Sequence, residues 1–126
     1  MSPTSVLLVE DDDTVREMVE EALRTAGFFV HSIPLASQIF DVLEGGIYEL
    51  ILLDLGMPQG TLQGMEALML LRSIEAWREI PVIILSAFAD VVNRAITTRL
   101  GVVGVLTKPF DVQELVALLQ RVTVRK

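Results

Sequence analysis

Four places in this chain carry groups able to do chemistry, and each follows an apolar run. They are Glu10-Asp11-Asp12-Asp13, Asp54, Ser86 and Lys108. Carboxylates crowded together repel, so they either take up protons or share a cation. Oxygen ligands alone suit a hard ion such as Mg²⁺. An aspartate can also act as a nucleophile and become an aspartyl phosphate. In that chemistry a metal offsets the phosphoryl charge, Lys108 meets a second phosphoryl oxygen as a point charge, and the Ser86 hydroxyl donates to a third. Taken singly, each feature has an ordinary explanation: charge at a helix start, a strand-capping aspartate, a loop hydroxyl, a solvated turn lysine.

The elements around these residues bring them together. Leu50 to Leu53 is a short, continuous apolar run ending in Asp54, with Gly56 and Pro58 close behind. That pattern reads as a strand buried on both faces. Asp54 then lies at the carboxyl end of a central strand, the edge where open α/β sheets bind ligands. Ser5–Val9 is a first strand, and Val15, Met18, Val19, Ala22, Leu23 and Ala26 form one helical face after it. Asp12 or Asp13 caps that helix and Gly27 stops it. Phe28–Ile33 is the second strand. Ala36, Ile39, Phe40 and Leu43 form the next helical stripe, stopped by Gly45-Gly46. The third helix covers roughly Met65 to Ile74, after a loop from Pro58 to Gly64. Pro81–Leu85 and Gly104–Thr107 are the fourth and fifth strands, with a helix over Asp90–Leu100 between them. Asp111 opens the last helix with Glu114 three residues on, a capping-box spacing, and Val112, Leu115, Val116, Leu119 and Val122 form its buried face. Alternating strands and helices imply a parallel sheet covered on both faces. Right-handed crossovers then carry every strand-to-helix loop to one edge, which gathers Glu10, Asp11, Asp54, Ser86 and Lys108 there.

Composition narrows the function. At 126 residues and 52% hydrophobic, a single domain over residues 1–126 with one core is expected. There is no cysteine, which excludes disulfides, thiolate metal sites and thiol nucleophiles. The net charge of −7, from 10 basic and 17 acidic residues, argues against direct nucleic-acid binding. No apolar run spans a bilayer and the first residues lack a signal-peptide pattern, so no membrane contact and a cytoplasmic location are expected. The only histidine, His31, reads as a strand residue, and Trp77 as a local packing residue after the third helix.

Four pieces carry a resemblance along nearly the whole chain. They are Leu7-Leu8-Val9-Glu10-Asp11-Asp12, Leu52-Leu53-Asp54-Leu55-Gly56-Met57-Pro58, Leu85-Ser86-Ala87 and Thr107-Lys108-Pro109-Phe110. In that order, at those strand ends, they resemble the receiver domain of two-component response regulators, the CheY-like superfamily. The resemblance implies a flavodoxin-like (βα)5 fold with strand order 2-1-3-4-5. It implies that Asp54 accepts a phosphoryl group from a sensor histidine kinase or phosphotransfer protein, making the chain a switch rather than a turnover enzyme. Mg²⁺ would be held by Asp11 and Asp54, by the Gly56 backbone carbonyl, and by Glu10 through a water. Ser86 and Lys108 would contact the phosphoryl group, and the Lys108-Pro109 bond would be cis. The downstream partner surface would be the Asp90–Leu100 helix, the fifth strand and the last helix, on a monomer or a phosphorylation-dependent dimer.

Two departures stand out. The loop from Gln59 to Gln63 is about two residues longer than the family's usual one. Val105 replaces the usual aromatic three residues before the lysine, and a short β-branched side chain cannot make that aromatic's swing. The leading alternative is an aspartate phosphatase of the haloacid dehalogenase type. Asp11-Asp12-Asp13-Thr14-Val15 fits its opening motif, with Asp11 as nucleophile and Ser86 and Lys108 in the following motifs. That reading leaves Asp54 unexplained in a chain with no room for a cap domain. A flavin- or nucleotide-binding domain of the same fold would set backbone N–H groups and glycines where this chain has four acids. A receiver used only as a protein-binding module would not need the full set of phosphorylation residues.

Overall fold

The apolar strands find cover on both faces in the computed structural model, which describes residues 4–55, 58–87 and 99–124. The strands are β1 (Ser5–Val9), β2 (Phe29–Ile33), β3 (Leu50–Asp54), β4 (Val82–Ser86) and β5 (Val102–Thr107). They form one parallel sheet of order β2-β1-β3-β4-β5, as expected. Four helices lie among the described residues: α1 (Asp13–Thr25), α2 (Ile39–Glu44, after a 3₁₀ turn at Ala36–Gln38), α3 (Pro58–Ser73) and α4 (Val112–Val124). The expected helix at Asp90–Leu100 falls on residues 88–98, outside the described residues.

Side-chain alternation divides the core in two. Val6, Leu8, Leu50, Leu52, Ile83 and Leu85 face Val19 and Leu23 of α1 and Leu115, Leu118 and Leu119 of α4. Leu7, Val9, Ile51, Leu53, Val82 and Ile84 face Ile39 and Leu43 of α2 and Ala67, Leu68 and Leu71 of α3. Val6–Val9 of β1, Leu50–Leu53 of β3 and Val82–Leu85 of β4 are therefore continuous apolar runs, because each face meets a helix layer. His31 lies on β2, edge-on to Tyr48, and Trp77 packs against Phe40 with ring centroids 5.8 Å apart.

The structure corrects several boundaries. The third helix starts at Pro58, not near Met65, so 59–63 continue a helix and do not form the long loop expected there. Proline suits a first helical position because its φ is preset and its missing N–H has no partner there anyway; the glycines at 60 and 64 hid the helix from a reading that takes glycine as a stop. Strand β2 starts at Phe29, β4 runs from Val82 to Ser86, and β5 starts two residues earlier than expected, at Val102.

Gly64 has a packing reason. A Cβ there would sit 2.3 Å from Leu55 Cδ2, and Leu55 is itself buried. Gly64→Ala is expected to cost about 1–3 kcal/mol in urea unfolding despite alanine's better helix propensity. Gly45→Ala, whose Cβ would meet nothing nearer than 3.8 Å, should cost far less. Equal effects would contradict the close approach of α3 to Leu55.

Candidate functional site

Four of the five strands, β1, β3, β4 and β5, end in or lead into the group that the sequence places there. Strand β1 leads into Glu10, whose amide donates to the Ile33 carbonyl at 3.0 Å, so its side chain turns into the sheet edge and is buried. The carboxylate accepts from the Asp12 amide at 3.1 Å, and Arg16 Nη1 donates to the Glu10 carbonyl at 2.9 Å. Asp12 caps α1, accepting from the Val15 amide at 3.0 Å. Arg16 also pairs with Asp13 one turn away. Asp11 is left facing outward beside Glu10.

Asp54 ends β3 with its side chain 5% exposed. The next amide, Leu55, donates to the Leu85 carbonyl at 2.7 Å. Ser86 ends β4 and is buried. It is paired in register with Thr107, and its carbonyl accepts from the Lys108 amide at 2.8 Å. The Lys108-Pro109 bond is cis, as the resemblance implied. Lys108 Nζ then lies 2.9 Å from Glu10 Oε1 and 3.0 Å from Asp54 Oδ1.

The electrostatics follow from that placement. Burial, then the hydrogen bond with Asp54, pushes the Glu10 carboxyl up to about 7, against the lowering effect of Lys108 and the Asp12 amide. Burial alone would lower the Lys108 pKa, but its bonds to Glu10 and Asp54 and their charges outweigh this and raise it. One carboxylate oxygen from each of Glu10, Asp11 and Asp54 lies within 4.8 Å of the others. This all-oxygen cluster can hold a metal ion. Octahedral ligands at about 2.1 Å from Mg²⁺ are roughly 3–4 Å apart, so the donor set fits a hard cation. The Gly56 carbonyl, the remaining ligand that the resemblance implies, lies outside the described residues.

The structure thus brings Glu10, Asp11, Asp54, Ser86 and Lys108 to one edge. Sequence reasoning missed Arg16, which reaches back to the Glu10 carbonyl, and missed Lys108's double ion pair. An arginine one turn after an acidic helix start is a readable signal for the first. The second needs the sheet order, since Glu10 and Lys108 are 98 residues apart.

The fold and this edge define a signalling switch of the response regulator class. The model of the response regulator receiver domain matches residues 6–120, and the chain belongs to that family. It is 35% identical over 119 residues to the transcriptional regulatory protein CseB of Streptomyces avermitilis, covering 94% of this chain and 48% of that protein. The chain therefore spans about half the length of that relative. Among solved structures it is similar to the receiver domain of sensor histidine kinase PA1611 from Pseudomonas aeruginosa, which has a magnesium ion coordinated in its active-site cleft. That match has a TM-score of 0.79 and 33% identity, covering 94% of this chain and 96% of the other. The chemotaxis response regulator CheY4 of Vibrio cholerae matches with a TM-score of 0.82 and 26% identity, over 95% and 98% of the two chains. No finding supports the phosphatase alternative, and the ion pairs of Lys108 are to Glu10 and Asp54.

Proposed function

We propose that this chain, as a single receiver domain, accepts a phosphoryl group on Asp54 from the phosphohistidine of a sensor histidine kinase or phosphotransfer protein. The observation that supports this most directly is Lys108 Nζ at 3.0 Å from Asp54 Oδ1, beside the three-carboxylate cluster. An Asp54 carboxylate oxygen forms the new bond to phosphorus as the phosphorus–nitrogen bond breaks, and the leaving imidazole keeps the electron pair and takes up a proton. Glu10, Asp11 and Asp54 would hold Mg²⁺, which supplies positive charge against the phosphoryl oxygens. Lys108 moves from its ion pair with Asp54 to the incoming phosphoryl oxygens. Ser86 donates its hydroxyl to that group, which draws the end of β4 toward the site.

The chain so described is a switch rather than a turnover enzyme, and a cytoplasmic location goes with that reading. Its output surface includes Val103 and Val105 on β5, which are exposed, and α4. Val105 has no aromatic ring to swing inward, so the change at this surface follows the backbone at Ser86 and its register partner Thr107 rather than a side-chain flip at 105.

The test is incubation with Mg²⁺ and acetyl phosphate, followed by borohydride trapping and mass spectrometry. One phosphoryl group on Asp54, and none in Asp54→Asn, is expected. Label on Asp11, or undiminished label in Asp54→Asn, overturns the reading.

A further inference from the structure

Arg72, in the last turn of α3, directs its guanidinium at backbone carbonyls and at no carboxylate among the described residues. Nη1 donates to the Trp77 carbonyl at 3.2 Å. Nη2 donates to the Ile80 carbonyl at 2.6 Å and to the Gly101 carbonyl at 3.4 Å, and Nε donates to the Leu100 carbonyl. These acceptors belong to two separate segments: the connection leading into β4, and the turn leading into β5. A planar fork of five donors can serve all four carbonyls at once; the three donors on a single lysine nitrogen cannot.

The turn is built around this fork. Gly101 has φ +74°, where any other residue is strained, and a Cβ there would lie 3.0 Å from Arg72 Nη2 and crowd the guanidinium. Immediately afterwards the pairing of β4 with β5 shifts. Val82 pairs with Val102, but Ile83 pairs with Gly104, leaving Val103 as an extra residue on β5. Beyond this bulge the register holds through Ile84 with Val105 and Leu85 with Leu106 to Ser86 with Thr107, and Lys108 follows. A one-residue slip of β5 would turn every following side chain to the other face and carry Lys108 about 3.3 Å along the strand. Its ion pairs with Glu10 and Asp54 would be lost.

We propose that Arg72 is a positioning residue for Lys108: by holding the Leu100 and Gly101 carbonyls where β5 begins, it fixes the bulged register that delivers Lys108 to Asp54. The two residues sit at opposite ends of β5, roughly 20 Å apart at the usual rise per residue. The labelling part of the test below rests on the phosphoacceptor reading of Asp54; the amide part does not.

The experiment compares wild type with Arg72→Met and Arg72→Lys by amide chemical shifts and hydrogen exchange, without Mg²⁺, under conditions where unfolding curves show full folding. Shifts and faster exchange should run along β5 as far as Thr107 and Lys108. Labelling of Asp54 by acetyl phosphate should slow on the order of tenfold in Arg72→Met. In a Lys108→Ala background, Arg72→Met should add little, because both changes act through the same contact. Arg72→Lys, which keeps the cation without the fork, decides the matter if Arg72→Met does not fold. Lower stability with unchanged Thr107 and Lys108 amides would overturn the proposal and reduce Arg72 to a staple for the end of α3. Additive labelling losses in the double variant would also overturn it. If label is undiminished in Asp54→Asn, the phosphoacceptor reading fails, and if Lys108→Ala itself leaves labelling of Asp54 unchanged, that lysine does not limit labelling; in either case the amide data alone decide the role of Arg72.

Discussion

Lys108→Ala, in Mg²⁺-free solution at pH 8, is expected to cost about 3 kcal/mol of stability, the range for removing one partner of a buried ion pair. Lys108 stands between two carboxylates whose side chains are 0% and 5% exposed. Without it, Glu10 and Asp54 are left facing each other with no cation between them. The loss should shrink at pH 5, because Glu10, already pushed up to about 7, then carries a proton and relieves the repulsion. Glu10→Gln combined with Lys108→Ala should recover much of the loss at pH 8, and so should millimolar Mg²⁺ added to the single variant. Urea unfolding at the two pH values measures this. An equal loss at pH 5 and pH 8 would mean that the lysine contributes packing and no charge balance.

Mg²⁺ affinity should climb steeply with pH up to about 7 and level off above it. A hard cation binds the ionised carboxylate, and Glu10 in this fold holds its proton until about pH 7. Below that value the apparent Kd should weaken by about tenfold per pH unit. Calorimetry in buffers of different ionisation enthalpy should show about one proton released per ion bound at pH 6. Glu10→Gln should flatten the pH dependence, and Asp11→Ala should weaken binding at every pH. The same shift has a consequence for stability. Glu10 binds its proton more tightly folded than unfolded, so its contribution to stability is fully present below its ordinary value of 4.5 and is lost as pH rises through about 7. Mg²⁺ is expected to reverse that slope, since its binding selects the ionised form. Affinity that does not vary between pH 6 and pH 8 would remove Glu10 from the site.

The parts of this molecule governed by local pattern were readable in advance. Leu50–Leu53 is apolar throughout because helices cover both sheet faces, and that run alone places Asp54 at a strand end. Right-handed crossovers did the rest, bringing Glu10, Ser86 and Lys108 to the same edge. What was not readable depends on tertiary approach. The Pro58 helix start was masked by Gly64, a glycine present for the close passage of Leu55 and not for a turn. The early start of β5 was masked because Gly101 and the bulge at Val103 interrupt the strand pattern at the point where Arg72 intervenes. A basic residue in the last turn of α3 hinted at carbonyl binding, but the choice of Leu100 and Gly101 as acceptors, 28 and 29 residues away, belongs to the fold.

The position of the one indole has a practical consequence. Trp77 packs on Phe40 in the connection leading into β4, at the sheet edge opposite Asp54, with its carbonyl held by Arg72. Its emission is therefore expected to report on whether α2, α3 and that connection remain docked, and to change little with ions or phosphoryl groups at the acidic edge. Intrinsic fluorescence of this chain should serve as a probe of unfolding that the site's own ligands move mainly by changing the stability of the whole.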